Sequence, residues 1–129
     1  MVDGDAGCGQ VIGREATDLA IARAHAGGAC ILTLRNAHHI GRVGAFGEQC
    51  IAAGLVGVFF ANVVSRPLPP PNPVCTAVPA TPRHGAFLLD FATSAIAANK
   101  CRVAAASGTV QALQRIGAEL GGDVPWIMR

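Results

Sequence analysis

An α/β layered domain is the fold class this sequence predicts, on three observations. Apolar runs of strand length stand at residues 29–34 and 55–62. Segments of helical periodicity precede and separate them at 11–26 and 45–53. Glycine or proline marks each change from one kind of segment to the other. The order along the chain is helix, strand, helix, strand, loop, strands, helix.

The opening "MVDGDAGCGQ" is glycine-rich, and no strand is expected to lead through it. Over 11–26, Ile12, Ala16, Leu19 and Ala20 fall on one helical face. Gly27 and Gly28 stop that helix, because glycine takes the left-handed closing conformation without steric cost. "ACILTL" at 29–34 predicts a buried strand, ending in the polar, turn-like "RNAHHIGRVG". A second helix is expected over 45–53 with Gly54 as its cap, and "LVGVFFAN" at 55–62 as a second buried strand. Residues 65–73, "SRPLPPPNP", hold five prolines in nine positions. Proline lacks an N–H and fixes φ, so this stretch is neither helix nor central strand but an extended loop within one domain. "VCTAVPA" and "GAFLLD" predict two strands of a hairpin or meander, joined around 81–84. A third helix is expected over about 94–106, ended by Gly108, and "TVQALQRIGAEL" as a short terminal helix.

Composition bounds the function. The chain has 129 residues, 51% hydrophobic and 14% charged, which gives one modest core and excludes a disordered, highly charged chain. Much of the apolar share is alanine, so the core is thinner than the percentage suggests. Net charge is +2 with Lys and Arg scattered, so no nucleic-acid partner is expected. Cys8, Cys30, Cys50, Cys75 and Cys101 include no C-x-x-C pair, and no metal site is expected. Their odd number and wide spacing, in a chain without a leader-like N-terminus, predict reduced thiols and a cytoplasmic protein. The longest apolar stretch is interrupted by Gly57 and is too short to span a bilayer, so no membrane partner is expected.

Three motifs bear on chemistry. "GCGQVIG" sets Gly7, Gly9 and Gly13 before a helix, but its last spacing is one residue longer than a dinucleotide fingerprint, and it reads as a tight turn. His38 and His39 follow the end of a strand, where open α/β sheets place ligands. Histidine is suited to moving a proton near neutral pH, as a hydride-transfer enzyme requires; ordinary turn residues are the other reading. "LLDFATS" ends a strand at Asp90 and offers Thr93 and Ser94 where a helix begins, to cap it or to hold a polar ligand. Lys100 and Arg102 on the third helix either meet a phosphate or are solvated charges.

Taken in order, four segments resemble the malate/L-lactate dehydrogenase family, which also holds ureidoglycolate and sulfolactate dehydrogenases. "VDGDAGCGQVIGREATDLAIARA" looks like its D-G-D-x-G-x-G-Q helix, and "LRNAHHIGRVGAFGEQCIAAGLVGVFFAN" like its R-N-S-x-H-F-G segment. "PNPVCTAVPA" is similar to T-N-P-I-A-F-A-x-P, and "LLDFATSAIAANKCRVAAASG" to L-D-M-A-T-S with its helix. The resemblance implies a mixed sheet with flanking helices that is not a Rossmann fold. It implies an NAD- or NADP-dependent oxidoreductase, commonly a homodimer, interconverting a small 2-hydroxy acid and its 2-oxo acid. It assigns proton transfer to His39 and cofactor contacts to Asp90, Phe91, Ala92 and Thr93, with Asn72 and Pro73 near the site. His38 stands where the family has Asn or Gly and inherits no role.

The resemblance runs over 1–108 as a partial domain, with 109–129 as a divergent tail. Family members are more than twice this length. Their N-terminal S-H-G segment, with a second histidine and an arginine for the substrate carboxylate, has no counterpart here, nor does their C-terminal half. A truncated, non-catalytic remnant is therefore the alternative expectation.

Overall fold

The computed structural model describes residues 1–62, 72–93 and 107. The expected third and terminal helices, Lys100, Arg102, Cys101 and most of the proline segment lie outside the described residues. The chain divides into two compact units, Met1–Ala61 with Pro73–Phe91, and Asn62–Asn72 with Ala92–Arg129. The first unit holds every element named below.

Strand β1 (Val2–Gly7) occupies the glycine-rich opening, where composition argues against a strand. It pairs in parallel with β2 (Leu34–Ala37), Val2 against Leu34 and Asp3 against Arg35, with an irregularity before Gly7 meets Ala37. Polar side chains rather than apolar alternation hold this pair. One Asp3 carboxylate oxygen accepts from the Asp5 N–H at 3.0 Å and from Asn36 Nδ2 at 3.1 Å. The other accepts from Arg35 Nε at 3.0 Å and Nη2 at 2.9 Å. Asp5, Ala6 and Asn36 take left-handed φ values of 47°, 51° and 53° around the irregularity.

These hydrogen bonds, the Asp5 N–H first and Asn36 next, hold the Asp3 carboxyl below the usual carboxylate range. A carboxyl with a lower pKa folded than unfolded adds stability that is present above the unfolded value and is lost as pH falls through the folded one. The protection of amides across β1 and β2, taken relative to their intrinsic exchange rates, is therefore expected to fall below about pH 4, and to fall less steeply in Asp3→Asn. Identical pH profiles for the two proteins would remove Asp3 from this role.

Helix α1 (Gly9–Gly27) ends as expected: Gly28, at φ 83°, donates its N–H to the Ala24 carbonyl at 2.7 Å. Its buried face follows the apolar stripe read from sequence at Ala16, with Ile12 and Ala20 half-buried, but not at Leu19. Gly9, Gly13, Ala16 and Thr17 are buried, whereas Leu19 is 44% exposed. Small residues face inward because α1 lies close against its neighbours. The strand expected at 29–34 also moves, to β2. The Thr33 carbonyl still accepts from the Val2 N–H at 2.8 Å, but the paired register begins at Leu34, and Ile31 is 98% exposed.

Helix α2 (Gly44–Ala52) matches its expected span within a residue, and Gly54 follows it at φ 73°. Strands β3 (Gly57–Phe60), β4 (Val74–Val78) and β5 (Phe87–Phe91) form an antiparallel meander in that order. Hydrogen bonds between Thr81 and His84 close the β4–β5 connection, as the sequence suggests. The registers align Phe59 with Cys75 and Ala77 with Leu88, on the face that α2 covers. Val58, Phe60, Phe87, Leu89 and Phe91 lie on the other face, and Phe60 is 80% exposed. The strand expected to be buried is thus covered on one side only.

The core lies between α2 and the meander: Val43, Phe46 and Cys75, flanked by Ile40, Phe59, Ala61 and Leu88. Gly47 sets the spacing, since a Cβ there would stand 2.9 Å from Cys75 Sγ and 3.1 Å from Ala77 Cβ. Burial pushes the thiols of Cys75 and Cys50 up, so both stay protonated at neutral pH. Among the described residues no helix is long and apolar enough to cross a membrane.

Candidate functional site

The β1–α1 junction and the 38–42 loop leave the carboxyl ends of the two parallel strands side by side, where α/β folds bind ligands. Their contact is tight. His38 donates its N–H to the Gly7 carbonyl at 3.3 Å. A Cβ on Gly9 would stand 2.1 Å from the His38 carbonyl oxygen and 2.6 Å from that of His39. The glycines before α1 therefore admit the histidine loop. A strand does lead into them, contrary to the sequence reading, but main chain fills the close approach at Gly9. Both His38 and His39 are exposed.

Beside this loop a cavity of about 460 Å³ opens between α1 and α2, walled by Gln10 and Arg14 on one side and Arg42 and Gln49 on the other, over Ile40 and Phe46. Gln49 Nε2 donates to the Arg14 carbonyl at 3.1 Å and to the Asp18 carboxylate, tying the two helices together. Arg42 Nη2 lies 2.8 Å from each Glu48 carboxylate oxygen, and these bonds hold the guanidinium above its ordinary, already high pKa.

The start of α2 is closed from a distant part of the chain. Val43 stands at the cap position with helical angles and makes no side-chain cap. Ala45 and Phe46 donate their N–H groups to the Arg42 and Val43 carbonyls at 3.2 and 3.0 Å. Gly44 donates its N–H to Asp90 Oδ2, on β5, at 2.8 Å.

Asp90 thus meets the helix that follows the His39 loop. Phe91 ends β5 and is 45% exposed. Ala92 and Thr93 are exposed, and Thr93 Oγ1 accepts from the Asn72 N–H at 3.2 Å, joining two of the family-like motifs. Sequence reasoning missed Arg14, Arg42, Gly44 and Gln49. The partners of Arg14, Gly44 and Gln49 come from another helix or from β5, and that of Arg42, Glu48, stands six residues on; no local pattern signals them. Among the described residues no three His, Cys, Asp or Glu side chains converge as a metal site.

The sequence profile of malate/L-lactate dehydrogenase matches residues 1–113. The chain belongs to the malate/L-lactate dehydrogenase family. It is 44% identical over 119 residues to an L-lactate dehydrogenase of Cupriavidus necator, covering 84% of this chain and 34% of that one. It is 44% identical over 113 residues to hydroxycarboxylate dehydrogenase B of Escherichia coli K12, covering 80% of this chain and 31% of the relative. The solved malate dehydrogenase of Pyrococcus horikoshii aligns with a TM-score of 0.66 at 36% identity, covering 77% of this chain and 30% of that one. The chain spans about a third of the length of the curated relatives it matches. The mixed α/β architecture of this family, with one parallel and one antiparallel sheet here, agrees with the expected fold class.

Proposed function

We propose that the chain is part of an oxidoreductase that interconverts a small 2-hydroxy acid and its 2-oxo acid with NAD or NADP. Family membership over residues 1–113 is the observation that carries this reading. Hydride transfer is the chemistry a bound nicotinamide supplies. The chain's own contribution is an exposed imidazole, His39, at the carboxyl end of a parallel strand. There it holds the proton on the substrate hydroxyl oxygen or takes it away. The exposed Phe91 offers an apolar face of the kind a nicotinamide stacks on, and Ala92 and Thr93 offer main chain and a hydroxyl. The free thiols of Cys8, Cys30, Cys50 and Cys75 support a cytoplasmic setting, and the open meander face supports a homodimer.

The test joins a thermal melt to turnover. Cofactor at a hundredfold excess over its Kd stabilises the bound protein by about 2.7 kcal/mol, a shift of several degrees. His39→Ala is expected to keep that shift and to lower kcat by about a hundredfold or more. Unchanged kcat would take proton transfer away from His39. A second reading, a non-catalytic remnant, draws on the same open apolar face; a cooperative melt that neither NADH nor NADPH shifts would favour it.

A further inference from the structure

The Asp90 carboxylate points at a peptide N–H 46 residues away in sequence. Gly44 is the first residue of α2, and its N–H has no carbonyl behind it in the helix, as holds for every helix start. The residue before it supplies no side-chain cap. The next two N–H groups turn back onto Arg42 and Val43, which leaves Gly44 to Asp90. The site is built for this contact. A Cβ on Gly44 would stand 2.5 Å from Asp90 Oδ2 and 2.7 Å from Arg42 Nη1, so only glycine allows the carboxylate so close to the main chain. Both groups that flank Gly44 act on one short segment: Arg42 belongs to the loop that begins with His38 and His39, and Gly44 ends it.

We propose that Asp90 is a positioning residue: its carboxylate closes the first turn of α2 and so sets where the 38–43 loop, with His39, sits. This differs from a side-chain contact between Asp90 and the cofactor, because Oδ2 is already committed to the helix. It rests on the role given to His39 above only for its catalytic meaning; the mechanical claim stands by itself.

The experiment is hydrogen–deuterium exchange on the full chain, with NADH and NADPH titrations alongside. A hydrogen bond to a charged group corresponds to about a tenfold to hundredfold change in a local opening equilibrium. Asp90→Ala is expected to speed exchange at Gly44 and across 38–43 by about tenfold or more, leaving the middle of α1 unchanged. Asp90→Asn keeps an acceptor oxygen and is expected to restore most of the protection. Gly44→Ala, which drives the carboxylate away, is expected to reproduce the Asp90→Ala pattern, and to add nothing when made in that background.

Loop exchange unmoved by Asp90→Ala and by Gly44→Ala would overturn the proposal. So would Asp90→Asn weakening cofactor binding while the loop stays protected, since that is the signature of a direct contact. If Asp90→Ala does not fold, Asp90→Asn and Gly44→Ala decide between the same two outcomes. Wild-type chain that binds neither cofactor would count against the proposed function, and the exchange pattern would still judge the positioning role.

Discussion

Gly9→Ala is expected to destabilise the folded unit by about 3 kcal/mol, at the upper end of what overpacking costs. The new methyl would stand 2.1 Å from the His38 carbonyl oxygen and 2.6 Å from that of His39. Neither obstacle is the end of a side chain that swings aside; both are main chain. The gain in helix propensity from replacing glycine is below about 1 kcal/mol, and smaller at a helix start, so the clash decides the sign. Domains of this size have total stabilities of about 5–15 kcal/mol, so the midpoint of a melt should fall by well over ten degrees. If the protein folds at all, it does so by displacing the histidine loop. Turnover should then fall in the fraction that remains folded. A variant as stable as wild type would show that the loop yields freely at 38–39.

Phe46→Ala has the other large expected effect, a loss of about 3–5 kcal/mol. Phe46 is 7% exposed, and its ring stacks at a tilt on Phe59, with centroids 6.4 Å apart. It also lies over Gly13 of α1, where a Cβ would meet Phe46 Cζ at 2.5 Å. Removing the ring empties the contact between α1 and α2 and exposes the floor of the cavity beside the histidine loop. The pairing with Gly13 gives a second, sharper expectation. Gly13→Ala should destabilise the wild type by about 1–3 kcal/mol. In the Phe46→Ala background it should stabilise, because the methyl then enters vacant space and improves helix propensity. A denaturant melt of the four proteins reads the interaction directly. Additive effects would mean that the ring does not rest on Gly13.

How much of this was legible in the sequence depended on which force shaped each element. The ends of α1 and α2 were legible because Gly28 and Gly54 carry their own conformational preference. The β4–β5 hairpin was legible because Thr81 and His84 close a local turn between two apolar runs. Strand β1 was not, since Asp3, Arg35 and Asn36 hold it from two segments far apart, and glycine content speaks against it. The strand at 29–34 was read too early because hydrophobicity does not say where a neighbouring strand begins. Of the candidate residues, His39 and Asp90 were singled out by strand-end position and by resemblance. The capping of α2 by Asp90 was not, because a hydrogen bond between a strand-borne carboxylate and a glycine N–H leaves no periodic trace. The packing roles of Gly9 and Gly13 were hidden for the same reason: a missing side chain shows what it admits only once its neighbours are in place.

The meander carries a liability of its own. Among the described residues strand β3 lies at the edge of its sheet, with β4 on one side and no described strand on the other. The segment around it, "LVGVFFA" at 55–61, is uncharged, free of proline and rich in β-formers, the make-up of sequences that recruit identical copies into stacked sheets. Val58 and Phe60, exposed on that strand, would give such stacking an apolar surface to start from. Concentration therefore acts on this chain as a hazard as well as a mass-action variable. A Lys at position 58, on the open face and clear of the α2 core, would act as a gatekeeper that keeps one copy from templating the next.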